Sequence, residues 1–382
     1  QLPHGRLHLE AAPTGPETAH WRIDRLPNGP TVVAGRAGDP LQQRQRGVLA
    51  ELGLITGATA GPGVRPDEYA TVLAQLAMTG AALHVTDLPG AVAALLDDEL
   101  AALLSTPVPG ADPLEWELRS VAQRRAALRG HATGFGLGRV AAAAYPSLRR
   151  PPAVSALLVT RRPHLVRQAV AALAAQSYPE LEVIVGLHGV ELPDGVRAEL
   201  AGCGIDVQVF TVPADLSFGE ALGEATRRAC GSLVTKVDDD DRYGPEHVWD
   251  LVLARHYSGA AVVGKGAEFV HLQRRDLTVR RAMAAETYTD VVAGGTMLLG
   301  RGDLEAVGGW RPVDRSVDRA LLDRVLHAGG LVYRTHGFGF VYTRHGGGHT
   351  WDPGDEYFLR DAARRFPGLP PYAEFGLDRV TA

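Results

Sequence analysis

The sequence predicts an α/β fold in two parts: a mostly parallel sheet with helices on both faces, preceded by a smaller α/β domain. Three observations predict it. Residues 154–159 form a nearly unbroken apolar run, as a strand covered on both faces requires. Apolar strands then alternate with stretches of helical spacing, the pattern of parallel strands joined by right-handed crossovers. Pro146, Pro151 and Pro152 interrupt the chain just before that rhythm starts, because consecutive prolines neither extend a helix nor donate to a sheet ladder.

Taken in order, residues 1 to about 45 place Pro13, Gly15, Pro27, Gly29 and Pro30 between short apolar runs and read as a few strands or an irregular lead-in. Tyr69, Val72, Leu73 and Leu76 share one helical face within 67–78. A short buried strand at 81–85, a second helix at 91–104 and an arginine-bearing amphipathic helix at 116–128 complete a small α/β unit. No catalytic constellation falls in this half, whose role could be acceptor choice or a homo-oligomer contact. Beyond the prolines the expected strands are 154–159, 181–185, 205–210 and 232–237, with helices at about 165–173 and 219–229. A helix at 246–257, opened by Pro245 in its first turn, precedes strands at 260–264, 267–272 and 295–299. A helix at 318–327 and strands at 331–333 and 338–342 follow. The expected domains are 1–150, an α/β accessory domain; 151–351, the sheet-bearing domain; and 352–382, a helix and tail.

Composition limits the function classes. At 382 residues, 45% hydrophobic and 22% charged, the chain can bury a substantial core. A net charge of -5 argues against a nucleic-acid partner, which calls for a basic face. Cys203 and Cys230 make neither a disulfide framework nor a metal-ligand pair. With no signal-peptide pattern and no apolar run long enough to span a bilayer, a cytoplasmic setting is expected. The chain's only lysines are Lys236 and Lys265.

Lys236 opens the most informative stretch, for it is followed by Val237 and then four aspartates, Asp238 to Asp241. Four adjacent like charges at the end of an apolar strand need a positive partner. A hard divalent cation, Mn²⁺ or Mg²⁺, prefers oxygen ligands and reaches a substrate phosphate through one or two carboxylates. A solvated acidic turn is the plain alternative. In open parallel sheets ligands bind beyond the carboxyl ends of the strands, which is where both Thr160 and Asp238 fall.

From Val154 to about Trp351 the order of pieces resembles glycosyltransferase family 2, inverting nucleotide-sugar transferases of the GT-A fold. The carriers are the first strand, the Gln176-Ser177-Tyr178-Pro179 turn, Asp238-Asp239-Asp240 at the position of the family's DXD motif, and Val307-Gly308-Gly309-Trp310 followed by Val317-Asp318. The resemblance implies an inverting, metal-dependent glycosyltransferase of the hexosyltransferase type with an Asp general base. Its donor would be a nucleoside-diphosphate sugar, foremost of the UDP type, and its acceptor a small molecule, glycan or peptide. Asp318 would be the base, with Asp314 and Asp323 as fallbacks. Asp240 and Asp238 would hold the metal, completed by His345 or else His349. Thr160, Arg162, His188, Lys236, Asp238, Asp239, Gly295 and Trp351 would contact the nucleotide sugar.

Two positions depart from the family's pattern. Leu187-His188-Gly189 stands where many members carry an acidic pair for the base, and Val317 replaces the usual Glu before the helix aspartate. These departures sustain a second reading, a non-catalytic nucleotide- or carbohydrate-binding module on a degenerate GT-A fold. A nucleotidyltransferase, the third, calls for a Gly-rich phosphate loop after the first strand, and Thr160-Arg161-Arg162-Pro163 contains no glycine. Asp239 and Asp241 are expected to support the metal ligands from behind or to act as caps, Asp241 as the N-cap of the following helix, and Lys236 to balance the acidic charge.

Overall fold

The computed structural model describes residues 20–26, 29–34, 54–60, 64–107, 112–135, 151–345, 354–360 and 362–376. Trp351 and His349 lie outside them. The chain divides into two units, Gln1–Arg149 and Arg150–Ala382.

In the first unit, strands β1 (His20–Leu26), β2 (Gly29–Ala34), β3 (Leu54–Ala60) and β4 (Ala82–His84) form a sheet of order β2-β1-β3-β4. Helices α1 (Pro66–Met78), α2 (Gly90–Ala93), α3 (Asp98–Ser105) and α4 (Pro113–His131) accompany it. The helix expected over 91–104 is two helices, because the Asp97 carboxylate accepts the N–H of Glu99 and caps a new start. Buried Gln123 of α4 satisfies both backbone groups of Leu83, donating to its carbonyl and accepting its N–H, each at 2.7 Å.

The second unit is a mixed α/β structure around an eight-stranded sheet. Its first half runs β5 (Val154–Thr160), α5 (Val166–Ala174), β6 (Leu181–His188), α6 (Val196–Ala201), β7 (Asp206–Val212), α7 (Phe218–Arg228) and β8 (Leu233–Val237). Every residue of β5 is buried, as its unbroken apolar sequence requires. Strands β5 to β8 are parallel in the spatial order β7-β6-β5-β8. The crossovers therefore step outward to β7 and return across β5 to β8, creating a switch point between the carboxyl ends of β5 and β8, where open α/β sheets form a crevice.

The chain then leaves β8 through the acidic run into β9 (Arg242–Tyr243) and α8 (His247–Ser258). Strands β10 (Val262–Lys265), β11 (Phe269–Leu272), β12 (Leu277–Arg281), β13 (Thr287–Tyr288) and β14 (Leu298–Gly300) follow, then α9 (Arg301–Ala306), α10 (Val317–His327), β15 (Val332–Thr335) and β16 (Phe340–Arg344). Strands β14, β10, β15 and β13 extend the large sheet beyond β8, with β14 antiparallel to both of its neighbours. A second sheet has the order β17-β12-β11-β16-β9. Its outermost member, β17 (Ala362–Pro367), follows the short helix α11 (Asp355–Arg360), so the region expected as helix and tail contains a strand paired with β12.

Two local expectations are corrected. Pro245 precedes the Glu246 N-cap of α8 rather than occupying its first turn. Of the strand expected over 295–299, the first two residues belong to a 3-10 turn at Gly294–Thr296, and β14 begins only at Leu298.

Candidate functional site

The acidic run joins the two sheets of this unit, passing from β8 in one to β9 in the other. Above it opens a cavity of about 880 Å³. Thr160, Arg161 and Arg162 line it from the end of β5, His188 from β6, and Lys236, Asp238, Asp239 and Asp240 from β8 and its exit. Asp314 to Asp318 close the far side from the start of α10. The sequence-expected residues Thr160, Arg162, His188, Lys236, Asp238, Asp239, Asp240 and Asp318 thus line one cavity. His345 stands beside Asp240.

Each aspartate of the run has its own setting. Lys236, almost wholly buried, places Nζ 2.6 Å from Asp238 Oδ1 and 3.5 Å from Asp318 Oδ1. Burial disfavours the lysine's charge, but the two carboxylates outweigh it and hold the ammonium above its ordinary range. The Asp238 N–H donates to Tyr243 Oη at 2.8 Å, and the Tyr243 hydroxyl donates to the carbonyl of Gly295 at 2.9 Å. Asp239 is buried, accepts from the Thr160 hydroxyl and is gripped by Arg162, whose Nε lies 3.1 Å from Oδ2. Arg162 Nη1 reaches Asp240 Oδ2 at 2.8 Å.

Asp241 points away from the cavity, and its Oδ1 accepts the N–H of Thr343 in β16 at 2.9 Å. It caps no helix, contrary to expectation, but fastens the acidic turn to the second sheet. Burial, reinforced by Asp238 and Asp240, raises its pKa well above the ordinary carboxylate value.

Asp318 lies in the first turn of α10, behind an N-cap supplied by Ser316, which takes a left-handed conformation at φ 59°. Burial raises the Asp318 pKa; Lys236 opposes that rise and Asp238 adds to it. Room for its carboxylate comes from Gly294, where a Cβ would sit 1.9 Å from Asp318 Oδ2. Gly295 does the same for Asp238 Oδ2, at 2.8 Å, and therefore stands behind the acidic run rather than in the cavity lining. Tyr243 and Gly294 escape sequence reasoning. The adjacent glycines at 294 and 295 were the available signal, but nothing local says which side chains they accommodate.

His188 is buried, its ring within hydrogen-bond reach of Arg161 Nη2 at 3.1 Å and of the Leu216 carbonyl at 2.8 Å. Burial first, then the neighbouring Arg161, lowers its pKa against the opposing pull of that carbonyl. Asp323 stays outside the site, paired with Arg319 at 2.8 Å along α10. Lys265 is fully buried elsewhere, 2.8 Å from Asp250.

The donor set suits a hard or borderline divalent cation. His345 Nε2 faces Asp240 Oδ2 at 3.5 Å while its Nδ1 is 2.6 Å from Gln273 Oε1, an arrangement that fixes the ring and leaves Nε2 toward the carboxylate. Among the described residues no three His, Cys, Asp or Glu side chains form a metal cage by themselves. A cation held here would keep positions for substrate oxygens and water, as Mg²⁺ sites do.

No protein-family model and no curated protein sequence matches the chain. Among solved structures it is similar to Staphylococcus aureus TarS 1-349 in complex with UDP-GlcNAc, at 16% identity and a TM-score of 0.42. That alignment covers 55% of this chain and 64% of the other, so the chain spans less than two thirds of that protein. It is also similar to the mannosyltransferase PcManGT from Pyrobaculum calidifontis in complex with GDP-Man and Mn²⁺, at 16% identity and a TM-score of 0.41, covering 59% of this chain and 69% of that one. No helix among the described residues is long and apolar enough to cross a membrane.

Proposed function

We propose that the chain is an inverting glycosyltransferase that moves a sugar from a nucleoside-diphosphate donor to an acceptor hydroxyl in a single displacement. One observation carries this reading: the Asp318 carboxylate and the acidic run face one cavity at the β5/β8 switch point, joined through buried Lys236. Such a pairing provides a proton acceptor and a place for a charged leaving group within one crevice.

The chemistry follows from those positions. Asp318 accepts the proton of the acceptor hydroxyl as its oxygen bonds the anomeric carbon. The bond from that carbon to the diphosphate breaks on the opposite face, the nucleoside diphosphate leaves with the electron pair, and the configuration inverts. Asp240 and His345, with Asp238 nearby, would hold a divalent cation, which when bound neutralises charge gathering on the leaving diphosphate. Lys236 holds Asp238 and Asp318 in register. Thr160 and His188, at the ends of β5 and β6, would meet the nucleoside, with uridine-type donors the first to try.

Release of nucleoside diphosphate from a panel of nucleotide sugars, in the parent and in Asp318→Asn, tests this reading. Turnover in the parent and its loss in the variant support it. Equal turnover in both removes the base assignment, and a parent that binds donors but turns none over favours a binding module.

A further inference from the structure

The six carboxylates of the cavity, Asp215, Asp238, Asp239, Asp240, Asp314 and Asp318, outnumber its Lys and Arg side chains, Arg161, Arg162, Lys236 and Arg315. Of these cations, Lys236 is buried between Asp238 and Asp318, and Arg161 Nη2 lies 3.1 Å from His188 Nε2. Arg162 differs. Its guanidinium spans two carboxylates, Nε and Nη2 on Asp239 and Nη1 on Asp240, while its side chain keeps 41% of its surface exposed. The acids it grips are fixed, at 5% and 13% exposure. Its backbone N–H donates to Thr160 Oγ1 at 2.8 Å, so the main chain stays in place while the side chain can swing.

The oxygen Arg162 takes on Asp240 is Oδ2, the same oxygen that faces His345 Nε2 at 3.5 Å. A guanidinium and a divalent cation on one carboxylate oxygen compete for its lone pairs, and the two positive charges repel each other. Three of the five N–H donors of Arg162 are engaged, which leaves two for phosphate oxygens.

We propose that Arg162 is the internal counter-ion of this site, occupying Asp240 in the free protein and moving to the donor diphosphate when a divalent cation takes that carboxylate. The inference rests on the reading of the site as a diphosphate and cation site. Its consequence is synergy. Alone, the cation must displace Arg162 without offering it a new partner; with a diphosphate present, the arginine has one. By linkage the diphosphate then also binds more tightly when the cation is present.

The test is a calorimetric titration of Mn²⁺ into the intact protein and its Arg162→Ala and Arg162→Gln variants, each with and without saturating UDP or GDP. Gln keeps a hydrogen-bond donor for buried Asp239, so one variant remains should Ala destabilise the fold; melting curves establish folding in both. In the parent, Mn²⁺ affinity is expected to rise about tenfold with nucleotide. In the variants, Mn²⁺ alone should bind about tenfold more tightly than in the parent, and the nucleotide effect should shrink to the part that the diphosphate's own contact with the cation supplies. Loss of Mn²⁺ binding in Asp240→Asn locates the ion. Unchanged or weaker Mn²⁺ binding by folded Arg162 variants without nucleotide overturns the inference, whatever the nucleotides do. Failure of both nucleotides to bind the parent in the presence of Mn²⁺ overturns the functional reading instead.

Discussion

Lys236 Nζ stands 3.5 Å from Asp318 Oδ1, although the two residues lie on different elements and the lysine is 96% buried as a side chain. The same ammonium lies 2.6 Å from Asp238 Oδ1, so it bridges the two carboxylates. It is a buried positive charge between the acidic run and α10.

Removing that charge leaves two carboxylates facing each other without a partner. Lys236→Met is therefore expected to destabilise the protein by about 3–5 kcal/mol, the cost of breaking a buried ion pair from one side. Chemical denaturation of parent and variant measures it. A loss below about 1 kcal/mol, typical of exposed pairs, would show that Lys236 is dispensable to the fold.

Asp318→Asn keeps the shape of the side chain and removes its capacity to take a proton. Turnover is expected to fall about 10²- to 10⁴-fold, with nucleoside-diphosphate binding retained. Because burial raises the Asp318 pKa, the acid limb of the parent's pH profile should lie above the ordinary aspartate value and disappear with the variant's activity.

Gly294→Ala inserts a Cβ at 1.9 Å from Asp318 Oδ2, so the carboxylate or the turn must move. Turnover should drop at least about tenfold, since an ångström of misplacement is that costly. Gly302→Ala is the control, because its Cβ meets nothing within 4 Å. Comparison of their kcat values decides the matter.

His247 is fully buried against Tyr243 and Phe340, with neither ring nitrogen hydrogen bonded among the described residues. Burial first, and the Lys265 charge second, push its pKa well below 6.5. Below pH 6.5 the unfolded chain binds a proton that the folded chain refuses, so this residue lowers stability as pH falls, by up to about 1.4 kcal/mol per pH unit. His247→Phe should flatten the fall in melting temperature between pH 6.5 and 5. The remaining slope belongs in part to His336, whose pKa is lowered by burial as well.

The path of the main chain was legible in the sequence wherever one force dominated. The apolar run of β5 could only be a doubly covered strand, and the acidic run could only end one, so the cavity wall from Thr160 to Asp240 followed. Pairings set by distant partners were not legible. For Asp241 a helix cap was one of two readings because the helix start is near in sequence; its partner, the N–H of Thr343, is about a hundred residues away. The hold of Arg162 on Asp239 and Asp240 arises from strand order, which local spacing does not encode. Gly294 shows the same limit, for its missing Cβ matters only once α10 brings Asp318 against it. The strand β17 was missed because Ala362-Ala363-Arg364-Arg365 carries little β signal and is strand only by pairing with β12.

The central claim, that the acidic run holds a diphosphate through a divalent cation, is tested most directly by melting temperature. The protein is heated with each nucleoside diphosphate in turn, with and without Mn²⁺ or Mg²⁺, beside a variant carrying Asp238→Asn and Asp240→Asn. A ligand that binds only the folded state raises the melting temperature. The expected result is a rise that needs nucleotide and cation together and is absent in the double variant. An equal rise in the double variant, or a nucleotide response indifferent to the cation, would contradict it.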